Sequence, residues 1–176
     1  MHDSAATSAA PTSAAVLIPA ADMSLADLAV RRAHLRELDA PTFYRLAALR
    51  EAVFCLEQRA TDADLDGREL EETTVLVWLE DPHGRPVAQA RVLVDPEAMR
   101  IGRVAVIAER RRGGTGRRLM AEALAVCHEL APRLPVHIDA QAHLEAWYGS
   151  MGFATVGEPF MEAGIEHVAM VRPPSA

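Results

Sequence analysis

The stretch GRVAVIAERRRGGTGRRLM, Gly102 to Met120, begins as a β-branched apolar run and ends as a helix, with a glycine-rich joint between. Val104, Val106 and Ile107 suit a strand, whereas Leu119, Met120, Ala123, Leu124, Cys127 and Leu130 recur at helical spacing. The joint, Arg110 to Arg118, holds five arginines and three glycines in a chain whose formal net charge is -7. The first amides of a helix lack an intrahelical partner and carry the positive end of its dipole, and glycines there let an anion approach the backbone. In such a site the amides matter more than the arginines.

Upstream of the joint, Thr73 to Glu80, Val87 to Val94 and Arg100 to Ile107 read as strands joined by the turns DPHGRP and DPEAM, an antiparallel meander. Downstream, APRLP stops the helix and Val136 to Ala140 reads as a strand, so strand, helix and strand form a parallel crossover. Leu144, Trp147, Tyr148 and Met151 mark a shorter helix ended by Gly152, and FATVG and EHVAMVR are closing strands joined through EPFMEAGI. Nearer the N-terminus, Leu28 to Leu35 reads as the first strand, and Asp39 caps a helix whose Leu46, Leu49 and Val53 lead into EAVFCLEQ. The acidic stretch Glu57 to Glu72, opposed within itself only by Arg59 and Arg68, reads as a solvated loop. Residues 1–25, rich in Ala, Ser, Thr and Pro, are expected to be a flexible leader, and residues 26–176 one α/β (α+β) domain.

Composition narrows the function classes. With 176 residues, 50 % of them hydrophobic, the chain can bury one core. Its acidic balance argues against a protein that coats nucleic acid, and the joint has no aromatic residue among its arginines for stacking on RNA. Cys55 and Cys127 lie among apolar residues without CxxC spacing, which fits buried free thiols in a reducing compartment. No apolar run reaches the ~18 residues of a membrane helix, and Asp3 and Pro19 do not fit a signal peptide, so the cytoplasm is expected, with no membrane partner. His137 and Asp139 fit the alternation of a half-buried strand, with His143 just beyond it, and no metal is expected.

The dinucleotide fingerprint GxGxxG fails after Gly114 and Gly116, and the Walker A pattern fails because the chain has no lysine. Arg111-Arg112-Gly113-Gly114-Thr115-Gly116 instead resembles the Arg/Gln-x-x-Gly-x-Gly/Ala loop of the GNAT acyltransferases. LREAVFCLEQ, DGRE, IGRVAV, AQAHLEAWYGSMGF and GEPFMEAGIEHVAM together resemble the ElaA-like subgroup of that family. The resemblance implies a mixed, mostly antiparallel sheet with a splayed parallel pair of central strands. It further implies acetyl transfer from acetyl-CoA to a primary amine of a small molecule or peptide, by direct attack.

Residue by residue, the resemblance puts backbone groups around Val104, Ala105 and Val106 on the pantetheine arm and amides from Arg112 to Gly116 on the pyrophosphate. Gln141 would face the cofactor. Tyr148 would protonate the departing thiolate, the group such a transfer requires besides a neutral amine and oxyanion stabilisation. The strand Arg100 to Val106 offers only arginines as titratable groups, so the base is sought among Glu57 with Gln58, Glu158, Glu162 and His167. Gly114→Val is expected to abolish acyl-CoA binding and leave the fold largely intact. The acidic stretch would favour a cationic acceptor if it borders the cleft. Other readings are an acyl-CoA sensor without catalysis and a synthase of the acyl-homoserine lactone type, which resembles LREAVF and DGRE. A homodimer is compatible with all of them.

Overall fold

The computed structural model describes residues 24–174; of the leader expected over 1–25, residues 1–23 lie outside them. Its strands are β1 (Ala29–Ala33), β2 (Val75–Glu80), β3 (Pro86–Val94), β4 (Met99–Val106), β5 (Val136–Gln141), β6 (Ala154–Thr155), β7 (Phe160–Glu162) and β8 (Ile165–Arg172). Three α-helices interrupt them: α1 (Ala40–Arg50), α2 (Thr115–Leu130) and α3 (Glu145–Gly149). The sheet order is β1-β2-β3-β4-β5-β8-β6, with β7 paired to β8 off this path. Among the described residues only β4 and β5 run parallel. This is the mixed, mostly antiparallel sheet with flanking helices that the sequence leads one to expect.

Both faces of the sheet are covered, and alternation decides which helix covers which. Along β2 the side chains of Leu76 and Trp78 meet Leu46 of α1, while Val75, Val77 and Leu79 join the larger cluster with Leu119, Met120, Ala123, Val126 and Cys127 of α2. Each of these buried aliphatic side chains stabilises the fold by roughly 1.5–3 kcal/mol. The Asp39 carboxylate accepts from Thr42 N–H at 2.6 Å with Pro41 in the first turn, so α1 starts where its cap predicts. Cys127 is buried as expected, but Cys55 is only half-buried, because it belongs to the partly open turn that follows α1.

In three places local structure departs from the sequence reading. First, α1 does not continue regularly into EAVFCLEQ: Glu51–Glu57 forms a π-helical turn, with Gln58 N–H reaching back to Val53 C=O at 3.1 Å. Apolar spacing does not register a single widened turn. Second, EPFMEAGI contains β7, which folds back on β8 through Ala163 (φ 50) and Gly164 (φ 81). Third, the acidic stretch is not a solvated loop. Glu69 is 4 % exposed and accepts from Arg50 Nη1 at 2.6 Å and Arg91 Nη1 at 2.7 Å. Asp64 pairs with Arg50 and Arg103, and Asp66 with Arg91 and Arg103. The compensating arginines come from α1, β3 and β4, so the stretch looked unopposed when read by itself.

Among the described residues no helix is long and apolar enough to cross a membrane.

Candidate active site

The parallel pair β4 and β5 is joined at one end only. Met99 faces Val136 and Arg100 faces His137; beyond them the strands diverge. A bulge in β4 accompanies the divergence, since Gln89 and Arg91 of β3 face Ala105 and Gly102, one residue more on β4 than on β3. Arg103 absorbs it with φ 52, and a bulge of this kind bends and twists its strand. The divergence opens a cleft of about 720 Å³, lined on one side by Gly102, Arg103 and Val104 and on the other by Ile138, Asp139 and Gln141.

Tyr148 of α3 and His167 of β8 both line this cleft, at 6 % and 9 % exposure. The Tyr148 ring is held edge-on by Trp147, centroids 4.7 Å apart, and by Phe153 at 6.0 Å. Its hydroxyl meets no hydrogen-bond partner among the described residues, and burial pushes the phenol up to about 12. At neutral pH it is therefore a proton donor. His167 faces Gln141 in the β5–β8 register and stacks on Phe160. Its Nδ1 lies 2.9 Å from Ile165 C=O; a carbonyl can only accept, so Nδ1 carries a hydrogen, and in the neutral ring Nε2 is the acceptor.

The π-helical turn sends its last residues in two directions. Gln58 enters the cleft, where Gln141 Nε2 donates to its Oε1 at 2.9 Å. Glu57 turns away to the glycine loop, where Arg111 donates to it from Nη1 at 2.6 Å and Nη2 at 2.8 Å. These hydrogen bonds hold the Glu57 carboxyl below its usual range. Glu162 lines the cleft mouth, whereas Glu158 is not part of its wall.

At the start of α2, Gly114 is the N-cap with φ 87, and Arg118 N–H is bonded to Gly114 C=O at 3.0 Å. Thr115, Gly116 and Arg117 precede that first intrahelical bond, so their amides have no intrahelical acceptor. Space above Gly113 is open, and a Cβ on Gly116 would meet Trp147 Cζ2 at 3.3 Å. The loop thus leaves free amides over open ground, which fits a pyrophosphate.

Its arginines are mostly committed elsewhere. Arg111 Nε also donates to Val106 C=O at 2.9 Å, Arg117 holds Ser150, and Arg118 holds Leu25 C=O. Arg112, with φ 65, engages no acceptor among the described residues. Since L-residues pay ~1–2 kcal/mol in the left-handed region, Gly114→Val will lower the thermal midpoint as well as acyl-CoA affinity. A cost of that size leaves the fold largely intact, and paired calorimetry and thermal melts check both effects.

Residues 43–172 match the acetyltransferase (GNAT) domain family. The chain is 40 % identical over 144 residues to the protein ElaA of Escherichia coli, across 79 % of this chain and 92 % of that one. A UPF0039 protein of Mycobacterium tuberculosis is 38 % identical over 151 residues, across 84 % and 94 % of the two chains. The crystal structure of Escherichia coli ElaA aligns with a TM-score of 0.78 at 35 % identity, covering 82 % of this chain and 99 % of that one. An acyl-CoA N-acyltransferase from Pseudomonas aeruginosa gives 0.77 at 35 % identity, with the same coverage of 82 % and 99 %. A CoA-dependent acyl-homoserine lactone synthase solved with SAM and isopentyl-CoA, at 18 % identity and a TM-score of 0.66, shares the fold alone. The chain belongs to the GNAT acetyltransferase family, in the group of ElaA, and its fold is one that supports acyl transfer from a CoA-type cosubstrate.

Proposed function

We propose that the protein transfers an acetyl group from acetyl-CoA to a primary amine by direct attack, and that it works in the cytoplasm. The observation that carries this reading is the β4/β5 cleft, which has a buried, protonated phenol in its wall. Amides from Arg112 to Gly116 hold the pyrophosphate, and backbone groups of β4 from Val104 to Val106 hold the pantetheine arm. Because Val106 C=O already serves Arg111, the pairing falls on the remaining groups of that segment. Gln141, fixed by Gln58, borders the arm.

When bound, acetyl-CoA supplies an acetyl thioester. His167 Nε2 takes a proton from the acceptor ammonium, and the freed nitrogen lone pair forms the C–N bond. As the C–S bond breaks, the Tyr148 hydroxyl gives its proton to the departing sulfur. The second proton lost by nitrogen as the amide forms restores the phenol. Glu57 acts elsewhere, because its carboxylate, paired with Arg111, holds the glycine loop against the π-helical turn.

The test is a panel of amines with acetyl-CoA, read by free-thiol release and by the intact mass of protein and acceptor. Thiol release that depends on an amine, with acetyl on the acceptor and none on the protein, is expected. Thiol release without an acceptor, or acetyl retained on the protein, refutes direct attack. Activity only with S-adenosylmethionine and an acylated carrier would favour the lactone-synthase chemistry.

His167→Gln is expected to lower kcat/KM about a hundredfold with acetyl-CoA affinity unchanged. The deficit should shrink as pH rises, because an amine that deprotonates in solution needs no base. A loss that is the same at every pH would assign His167 a structural role instead.

A further inference from the structure

Resting on the acyl-transfer reading, the geometry points to an acceptor with a second cationic group, held between Asp62 and Glu162 at the mouth of the cleft. Every guanidinium in the cleft wall is already committed. Arg68 pairs with Glu71 and Asp95, Arg91 with Asp66 and Glu69, Arg100 with Asp95 and Asp139, and Arg103 with Asp64 and Asp66. Among the described residues, Asp62 and Glu162 are the wall carboxylates that meet no arginine. Both are exposed, and the exposed Arg59 nearby in the chain is not part of the wall.

The fold sets the two carboxylates on opposite sides of one bridge. Thr61 N–H donates to Ala163 C=O at 3.3 Å, joining the segment after the π-helical turn to the tip of the β7–β8 hairpin. Asp62 follows the first of these residues and Glu162 precedes the second. Backbone conformation on each side is of the left-handed kind, at Arg59 (φ 57) and Ala163 (φ 50), a cost that persists only where surrounding contacts impose it. The outcome is a mouth with two unmatched negative charges above a wall that is otherwise paired.

Deeper in the same cleft, the Tyr148 hydroxyl and His167 Nε2 have no partner among the described residues, although both side chains are at least nine-tenths buried. Both residues line the open cleft, where an acceptor can meet them. One amine of the acceptor meets them and reacts, while a second ammonium or guanidinium rests on Asp62 and Glu162. A neutral-tailed monoamine fills only the inner end. The shared chemistry is an amine with a second cation within reach, carried by a free polyamine or by a basic peptide.

Wild type and the double variant Asp62→Asn/Glu162→Gln are compared on putrescine against butylamine, and on a peptide with adjacent basic residues against one with a single lysine. Thiol release gives kcat/KM, and calorimetry with CoA present gives acceptor affinity without turnover. Exposed ion pairs are individually weak, so two of them predict about a tenfold preference for the dicationic member of a pair. The preference should shrink toward parity in the double variant and as salt is raised. Whether putrescine or the peptide shows the larger preference identifies the source of the second cation. Parity in wild type, or a preference that survives the double substitution, overturns the inference and leaves acyl transfer standing. If no amine is turned over, the acyl-transfer reading fails and affinity decides: tighter binding of the dication, lost in the double variant, supports the subsite, and equal binding overturns it.

Discussion

Tyr148→Phe is expected to lower kcat by about a hundredfold or more, the usual worth of a positioned general acid, while acetyl-CoA affinity and the thermal midpoint stay close to wild type. The separation follows from where the hydroxyl sits. It meets no protein partner among the described residues, so its removal leaves no orphaned group behind, and the ring keeps its edge contacts with Trp147 and Phe153. Burial, which pushes the phenol up to about 12, keeps it protonated across the working range, so the alkaline limb of the wild-type profile does not come from Tyr148 below that value. Steady-state kinetics beside calorimetry and a thermal melt check this. Unchanged turnover would return Tyr148 to the apolar core.

The largest expected effect on stability lies at Glu69. Its carboxylate is shared by two buried guanidiniums, Arg50 at 2.6 Å and Arg91 at 2.7 Å. Glu69→Gln removes the charge and leaves both guanidiniums without that counter-ion, a cost of about 3–5 kcal/mol for breaking a buried pair. For a chain of this size that corresponds to a melting midpoint lower by roughly 10 °C. By contrast Glu71→Gln, in a pair open to solvent, should cost no more than ~1 kcal/mol.

Burial would raise the Glu69 carboxyl, but the arginines more than offset it and the group lies below its usual range; Asp66 is held well below by hydrogen bonds from Arg91. Depressed carboxyls add stability that is complete above their unfolded value near ~4 and is lost as pH falls through the folded values. Wild-type stability should thus hold from neutrality down to about pH 5 and fall below it, and the fall should be shallower in Glu69→Gln. Chemical denaturation at a series of pH values measures both slopes.

Most of the sheet could be read from the sequence because its signals are local. Val75 to Glu80 and Val87 to Val94 are apolar and bounded by turns, and Asp39 marks the start of α1 by its own side chain. The features that escaped the sequence depend on partners far along the chain. Glu69 looks exposed until Arg50 and Arg91 are brought beside it, and Glu57 resembles a base until Arg111 is seen to bind both its oxygens. The bulge at Arg103 leaves no trace in the apolar pattern, yet it accompanies the divergence of β4 from β5 that makes the cleft. The glycines of the joint were legible because what they meet, a left-handed φ at Gly114 and the close approach of Trp147 at Gly116, is written in residue type.

Amide hydrogen exchange with and without CoA tests the central claim most directly, because it reports where on the chain the cosubstrate lies. Protection is expected at the amides of residues 112–117 and along β4 from Val104 to Val106, with little change in β1 and β2. Binding without protection at the α2 N-terminus, or protection confined to another face, would contradict the account.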